Sequence, residues 1–283
     1  MGLASSTRSF ILVNAKVPLQ IQLKKIHDLR PHEETVPADL AAIAQDMKTD
    51  GTLRHPIVAD VRSGTVLDGT HRLAALSQLG YEYAPAALID YENPLVQVDR
   101  WHRIIGGEAL DTFIKTCNLG PSKASLADAD TFLSERRAYA ALHDMQECFV
   151  FRSGASDPLE LSRQAFRLEE FARHSELGIS YVDNPRSQSV EEPAFVMSTI
   201  LVTKPEVVDA ATRRHLFPPK TTRHLIPSRP LATRVPLEWL RGREHGKAER
   251  LFLRHLRSKT IKRLPEGSWI GSRRYQEEVF VFE

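Results

Sequence analysis

Between Val17 and Ile89 the hydrophobic pattern switches repeatedly between a period of two and a period near 3.6, and this alternation restricts the chain to an α/β fold. Val17 to Ile26 alternates apolar and polar residues as a half-buried strand does, and breaks at Leu29-Arg30-Pro31. From Pro37 the apolar residues Leu40, Ile43, Ala44 and Met47 fall at helical spacing, with Gly51 where a helix-terminating glycine belongs. Two short strand-like runs follow, Pro56 to Ala59 and Thr65 to Leu67. Asp68-Gly69-Thr70 then leads into a helix with Leu73, Ala74, Leu76 and Leu79, closed by Gly80, and a further strand runs from Ala86 to Ile89. Strand, helix, strand, strand, helix, strand is a compact α/β unit.

The 283 residues are enough for one large domain or two small ones. Beyond the first unit the pattern predicts helices over Ser125 to Met145 and Pro158 to Leu177, flanking a strand at Glu147 to Phe151. A second strand run spans Phe195 to Val202, and a helix Pro205 to His215. The stretches Asn118 to Ser122 and Asn184 to Pro193 are rich in Pro, Ser and Asn and are candidate boundaries. Leu237 to Arg257 reads as a basic amphipathic helix, and Glu277 to Glu283 as a strand. The expected organisation is an N-terminal α/β domain over residues 12–110, a second α/β domain over 111–236, and a C-terminal helix-and-strand extension over 237–283. The fold class is α/β, or α+β.

Composition narrows the function classes. A net charge of +2 gives no electrostatic case for a dedicated nucleic-acid binder. Cys117 and Cys148 are far apart and in no CxxC spacing, which removes a thiolate zinc site and argues against a disulfide scaffold. Such cysteine usage suits a reducing compartment. Phe10 to Val13 is too short for a signal-peptide core, and no stretch approaches a membrane span, so a soluble cytoplasmic protein is expected.

Four segments carry chemistry. Asp68-Gly69-Thr70-His71-Arg72 lies between a strand and a helix, and a helix start offers N–H groups to an anion. Gly69 permits close backbone approach, Thr70 can cap or donate, and His71 and Arg72 add charge-assisted donors. Asp68 can hold a metal, for Mg²⁺ usually through water. The alternative is a capped helix with surface charges. Pro31-His32-Glu33-Glu34 offers a carboxylate able to take a hydroxyl proton, or merely solvated loop charges. Pro218-Pro219-Lys220-Thr221-Thr222-Arg223-His224 suits an anionic ligand, or is a solvated turn. Trp101 with His102 is an aromatic wall for a small substrate, or core.

These segments resemble the free-serine kinases of the ParB/sulfiredoxin-like fold, a family that includes an archaeal ADP-dependent enzyme and a siderophore-pathway enzyme. The likeness rests on Leu29 to Glu33, on Asp68 to Arg72, on Ile89-Asp90-Tyr91 before Trp101, and on Pro219 to His224, in the family's order. It covers about Leu12 to Trp101 and Phe195 to Pro227. The family's turn is typically Asp-Gly-His-His-Arg, so Thr70 departs from it, and a family substrate-site serine falls near Asp46. Sulfiredoxin would need a cysteine where Thr70 stands, and ParB proteins read Gly-Glu-Arg-Arg there.

The resemblance implies that nucleotide phosphates and Mg²⁺ sit at Asp68 to Arg72, with Asp68, His71 and Glu33 catalytic and Glu33 the general base. Glu34 is its substitute. Trp101, Lys220, Thr222, Arg223 and His224 would hold a free amino acid, L-serine first, in a cleft between the two halves. ADP or ATP would be the donor, and a homodimer is compatible. Two alternatives stay open. One is a ParB-like regulator binding nucleotide or DNA, supported by the basic tail of Arg241, Arg243, Lys247, Arg250, Arg254, Arg257, Lys259, Lys262 and Arg263. The other is a kinase for threonine, homoserine or another free hydroxy amino acid.

Overall fold

The computed structural model describes residues 9–13, 15–185, 193–271 and 273–283. The chain divides into two compact units. The first comprises Met1–Gln97, Val208–Arg214 and His224–Glu283; the second comprises Val98–Val207 and His215–Arg223. Residues 186–192, inside one of the expected boundary loops, lie outside the described residues.

The first unit is built on a five-stranded sheet. Its strands in spatial order are Phe10–Leu12, Leu19–Lys25, Tyr83–Ile89, Ile57–Asp60 and Val66–Asp68. All neighbours are antiparallel except Ile57–Asp60 with Tyr83–Ile89, which run parallel. All seven residues of Tyr83–Ile89 are buried, as a central strand requires. The helix Pro37–Asp50 starts on Pro37, whose missing N–H costs nothing in a first turn, and buries Ala44 and Met47. It stops at Gly51, whose φ of 62° lets its N–H return to Met47 O at 2.9 Å.

The C-terminal segment belongs to this unit. Ser228–Leu231 pairs parallel with Glu278–Phe282, which pairs antiparallel with Ile261–Leu264. A hairpin of Trp269–Ile270 and Arg273–Arg274 lies in the same segment. Leu231, Tyr275 and Val279 form a small core there, with Leu264, Ile270 and Val281 against it.

The second unit carries a six-stranded sheet, ordered Gly178–Val182, His102–Gly106, Ala194–Thr199, Ala138–His143, Cys148–Arg152 and Ser122–Lys123. The helix Pro158–His174 opens on Asp157, whose side chain accepts the Glu160 N–H at 2.9 Å. It packs Ala165, Leu168 and Ala172 into a core with Phe113, Phe149, Phe151 and Phe195.

Two expected helices differ from those observed. The helix expected over Ser125 to Met145 ends at Ser134, Arg136 turns left-handed at φ 58°, and Ala138–His143 is a strand. Alanine favours helix, but Ala140, Ala141 and Leu142 are buried in a strand paired on both sides, and this tertiary pairing overrides the local preference. The helix expected over Leu237 to Arg257 spans only His245–Arg257, after a single 3-10 turn at Leu237–Trp239. Leu240 O accepts the N–H groups of Glu82 and Tyr83 at 2.9 and 3.1 Å, which commits that carbonyl to the sheet rather than to a helix. The observed helix buries Ala248, Phe252, Leu253 and Leu256 and exposes Arg250, Arg254 and Arg257. No helix among the described residues is long and apolar enough to cross a membrane.

Candidate active site

The strand Val66–Asp68 ends where the helix Thr70–Gln78 begins, and Gly69 makes the corner at φ 99°. A Cβ on Gly69 would come within 2.9 Å of the Arg72 guanidinium, so both the backbone angle and the space demand glycine. Thr70 is the first helical residue and Gly69 the cap, with no side-chain capping bond; a helix start of this kind can receive an anion.

Arg72 folds back over this corner. Its Nη1 donates to His55 O at 3.0 Å and Pro56 O at 2.7 Å, and its Nη2 to Asp68 Oδ2 at 2.8 Å. Arg229 also donates to Asp68, and its Nε to Glu277 Oε1 at 2.6 Å. Burial alone would raise the Asp68 pKa, but Arg229, Arg72 and Arg273 outweigh it and hold the carboxyl well below the usual range. His71 takes a different part from the charge-assisted one expected. Its Nε2 accepts the Val36 N–H at 2.9 Å, so the ring carries its proton at Nδ1 and is neutral, tying the helix start to the loop that holds Glu33.

Beside the corner lies a cavity of about 270 Å³. Its apolar lining includes Ile43, Met47, Leu53, Pro230 and Leu231, with Tyr275. Its charged lining residues are Asp46, Asp50, Arg54, Asp68, Arg72, Arg229 and Arg273. His55 lines it as well, its Nδ1 accepting the Ala232 N–H at 3.0 Å. Apolar side chains together with four arginines make a lining that can take a planar base joined to phosphates. Asp68 Oδ2 is engaged by two arginines, so this site fits a divalent ion only through water and the ligand's own oxygens. Among the described residues no trio of His, Cys, Asp or Glu is placed to hold a metal.

Glu33 is largely buried, its side chain 15% exposed, and Glu34 is exposed. His32 Nδ1 lies 2.8 Å from Val66 O, and burial pushes its pKa down despite Glu33 nearby. His32 is therefore neutral, and its 3.8 Å approach to Glu33 is not a charge pair. His224 packs edge-on to His32, ring centres 5.2 Å apart, and its Nε2 lies 2.7 Å from the Tyr91 hydroxyl.

The second unit brings together Trp101, Lys220 and Arg223. Lys220 Nζ stands 5.9 Å from the Trp101 ring centre and 5.7 Å from that of Tyr181, and the Arg223 guanidinium 5.4 Å from Trp101. Arg223 Nη2 pairs with Asp183 at 3.2 Å. Thr222 is buried, and the Thr221 hydroxyl donates to Pro218 O at 2.9 Å. The expected residues thus fall into two groups. Glu33, Asp68 to Arg72 and His224 belong to the first unit, and Trp101, Lys220, Thr222 and Arg223 to the second.

Sequence reasoning missed His55, Arg229, Arg273 and Tyr275 at the cavity, and Arg103, Glu169 and Tyr181 behind the Trp101 group. A signal existed for two of these: Arg103 and Arg229 are single arginines inside short strands, at 3% and 8% exposure. A charge in such a place needs partners.

Burial also pushes the pKa of His55 and of His102 down to about 4, from an ordinary 6.5. The unfolded chain binds protons there near pH 6.5, the folded chain only near pH 4. Their contribution is complete above pH 6.5 and is lost as pH falls toward 4. Stability is expected to drop by ~2 kcal/mol or more between pH 7.5 and pH 5. Urea midpoints that are equal at the two pH values would contradict these neutral histidines.

No protein-family model matches the chain. It is 26% identical over 243 residues to an ATP-dependent L-serine kinase of Staphylothermus marinus, covering 83% of this chain and 95% of that relative. It is 25% identical over 224 residues to the ADP-dependent L-serine kinase SerK of Thermococcus kodakarensis, covering 76% and 91%. The solved structure of a free serine kinase variant in complex with ADP superposes with a TM-score of 0.66 at 24% identity, over 78% of this chain and 94% of that one. The chain therefore shares the fold of the free serine kinases.

Proposed function

We propose, on the premise that this chain is a free-serine kinase of the ParB/sulfiredoxin-like fold, that it transfers a phosphoryl group from ADP or ATP to the hydroxyl of free L-serine, giving O-phospho-L-serine. The observation that carries the reading is the cavity in which apolar side chains meet Arg72, Arg229 and Arg273 beside a helix start. The donor's phosphates lie against the first-turn N–H groups and these arginines, and its base against Met47, Leu53, Pro230 and Tyr275. Glu33 takes the proton from the acceptor hydroxyl as its oxygen attacks the terminal phosphorus and the bond to the leaving nucleotide breaks. Trp101, Lys220, Thr222, Arg223 and His224 hold the amino acid, the cations against its carboxylate.

Asp68 would hold Mg²⁺ through water, and the ion would supply further neutralisation of phosphate charge. The arginines and the helix start orient the donor; transfer needs mainly positioning and charge stabilisation. A reducing cytoplasm suits the two free thiols.

Phosphorus NMR with Mg²⁺, either nucleotide and a panel of free hydroxy amino acids tests the reading. A phosphoserine signal is expected, and the nucleotide left over names the donor. A signal from threonine or homoserine alone would keep the kinase and change the acceptor, since one methylene is worth only ~1–3 kcal/mol. No transfer to any acceptor would overturn the proposal. Arg72→Ala and Arg273→Ala are each expected to weaken nucleotide binding by about tenfold or more, as loss of a charge-assisted phosphate contact. Calorimetric titration that gives wild-type affinity for both would move the phosphates elsewhere.

A further inference from the structure

Behind the Trp101 group lies a buried charge pair that the reaction as described does not use. Arg103 is 3% exposed and Glu169 is fully buried. Arg103 Nε donates to Glu169 Oε2 at 2.8 Å. Its two other nitrogens leave the pair: Nη1 donates to Trp101 O at 2.7 Å and Nη2 to Lys220 O at 3.1 Å. Glu169 Oε1 in turn accepts from Arg173 Nη2 at 2.7 Å and from the Tyr181 hydroxyl.

Trp101, Lys220 and Tyr181 are thus each bonded to this pair through a carbonyl or a hydroxyl, while their rings and ammonium face one another at 5.7–5.9 Å. Lys220 needs the hold most. Its φ of 62° is a left-handed conformation that costs a non-glycine residue free energy, so a partner must stabilise it. The pair reaches across the fold to do this: Glu169 is 66 positions and Lys220 is 117 positions from Arg103. An apolar pair of similar volume would serve stability as well, so stability alone does not account for buried charges here.

We infer that the Arg103–Glu169 pair is a positioning device, whose guanidinium fork sets Trp101 and Lys220 in the geometry that receives the carboxylate end of the acceptor. The inference rests on the acceptor role proposed above for those residues. Lysine at position 103 would keep the charge opposite Glu169 but cannot reach two carbonyls and a carboxylate from a single nitrogen in the plane of a fork.

The test uses the full chain with Arg103→Lys, and with Arg103→Met and Glu169→Leu combined, so that the second variant carries no orphaned buried charge. Three quantities are measured: amide hydrogen exchange over residues 218–223, KM for L-serine, and nucleotide affinity. For Arg103→Lys, exchange in that segment is expected to accelerate and KM for L-serine to rise about tenfold or more, with nucleotide affinity within about twofold. In the apolar double variant the thermal midpoint returns toward wild type while KM stays raised. A KM that recovers together with the midpoint would reduce the pair to a structural role and overturn the inference. Unchanged exchange over 218–223 in Arg103→Lys would overturn it too. Should the wild type make no phosphoserine, the acceptor reading falls on its own, and the exchange data alone decide whether the fork holds the segment.

Discussion

Glu33→Gln is expected to lower phosphoserine formation by at least ~10²-fold while leaving nucleotide affinity within about twofold. The substitution keeps the size of the side chain and its hydrogen-bonding reach and removes only the ability to accept a proton. A serine hydroxyl is a poor nucleophile until its proton leaves, so a missing base is felt in turnover rather than in binding. The surroundings favour Glu33 over its neighbour. Glu33 is largely buried, beside a buried His32 whose pKa burial pushes down. Glu34 points to solvent, and Glu34→Gln is expected to cost less than about threefold. Full activity in Glu33→Gln, measured by the appearance of phosphoserine with either nucleotide, would sink the assignment of the base.

The second large effect is expected at Arg229, which no local motif marks. Arg229→Met should destabilise the protein by ~2–4 kcal/mol, less than a fully buried pair would because Asp68 is partly exposed. The side chain is buried and donates to both Asp68 and Glu277, so its removal leaves two carboxylates short of their shared cation. The same change removes one of four guanidinium groups from the cavity, and nucleotide binding should weaken with it. Pairing Arg229→Met with Asp68→Asn separates the two consequences. Stability recovers in part, because the carboxylate left with Arg72 as its one arginine partner is neutralised, whereas nucleotide affinity does not. Urea unfolding and nucleotide titration of the two variants read this directly. A double variant that regained both would mean that Arg229 touches the ligand only through the fold.

The turn at Asp68 to Arg72 was legible because its logic is local. A strand run, a glycine and a helix run in immediate succession define where backbone N–H groups point, and Gly69 has the left-handed φ that such a corner needs. The long helix Pro158–His174 was legible for the same reason: Asp157 and Pro158 mark its start, and the apolar period marks its buried face. The failures have a common cause as well. Ala138–His143 carries helix-favouring alanines, and only pairing with Cys148–Arg152 and Ala194–Thr199 makes it a strand. The basic tail suggested one continuous helix, yet the carbonyl of Leu240 is claimed by a distant strand.

The amino-acid sequence by itself determined the alternating elements of the first unit, the strand-to-helix turn at Asp68 to Arg72, and the choice of residue types able to handle a phosphate and a hydroxyl. These depend on periodicity and on hydrogen bonds that span a few residues. Only the tertiary structure decided which charges serve them. Asp68 meets Arg229 across 161 positions, and Arg103 meets Lys220 across 117. An ion pair is selected by what packing brings within about 3 Å in a medium of low dielectric, and that distance is written nowhere along the chain.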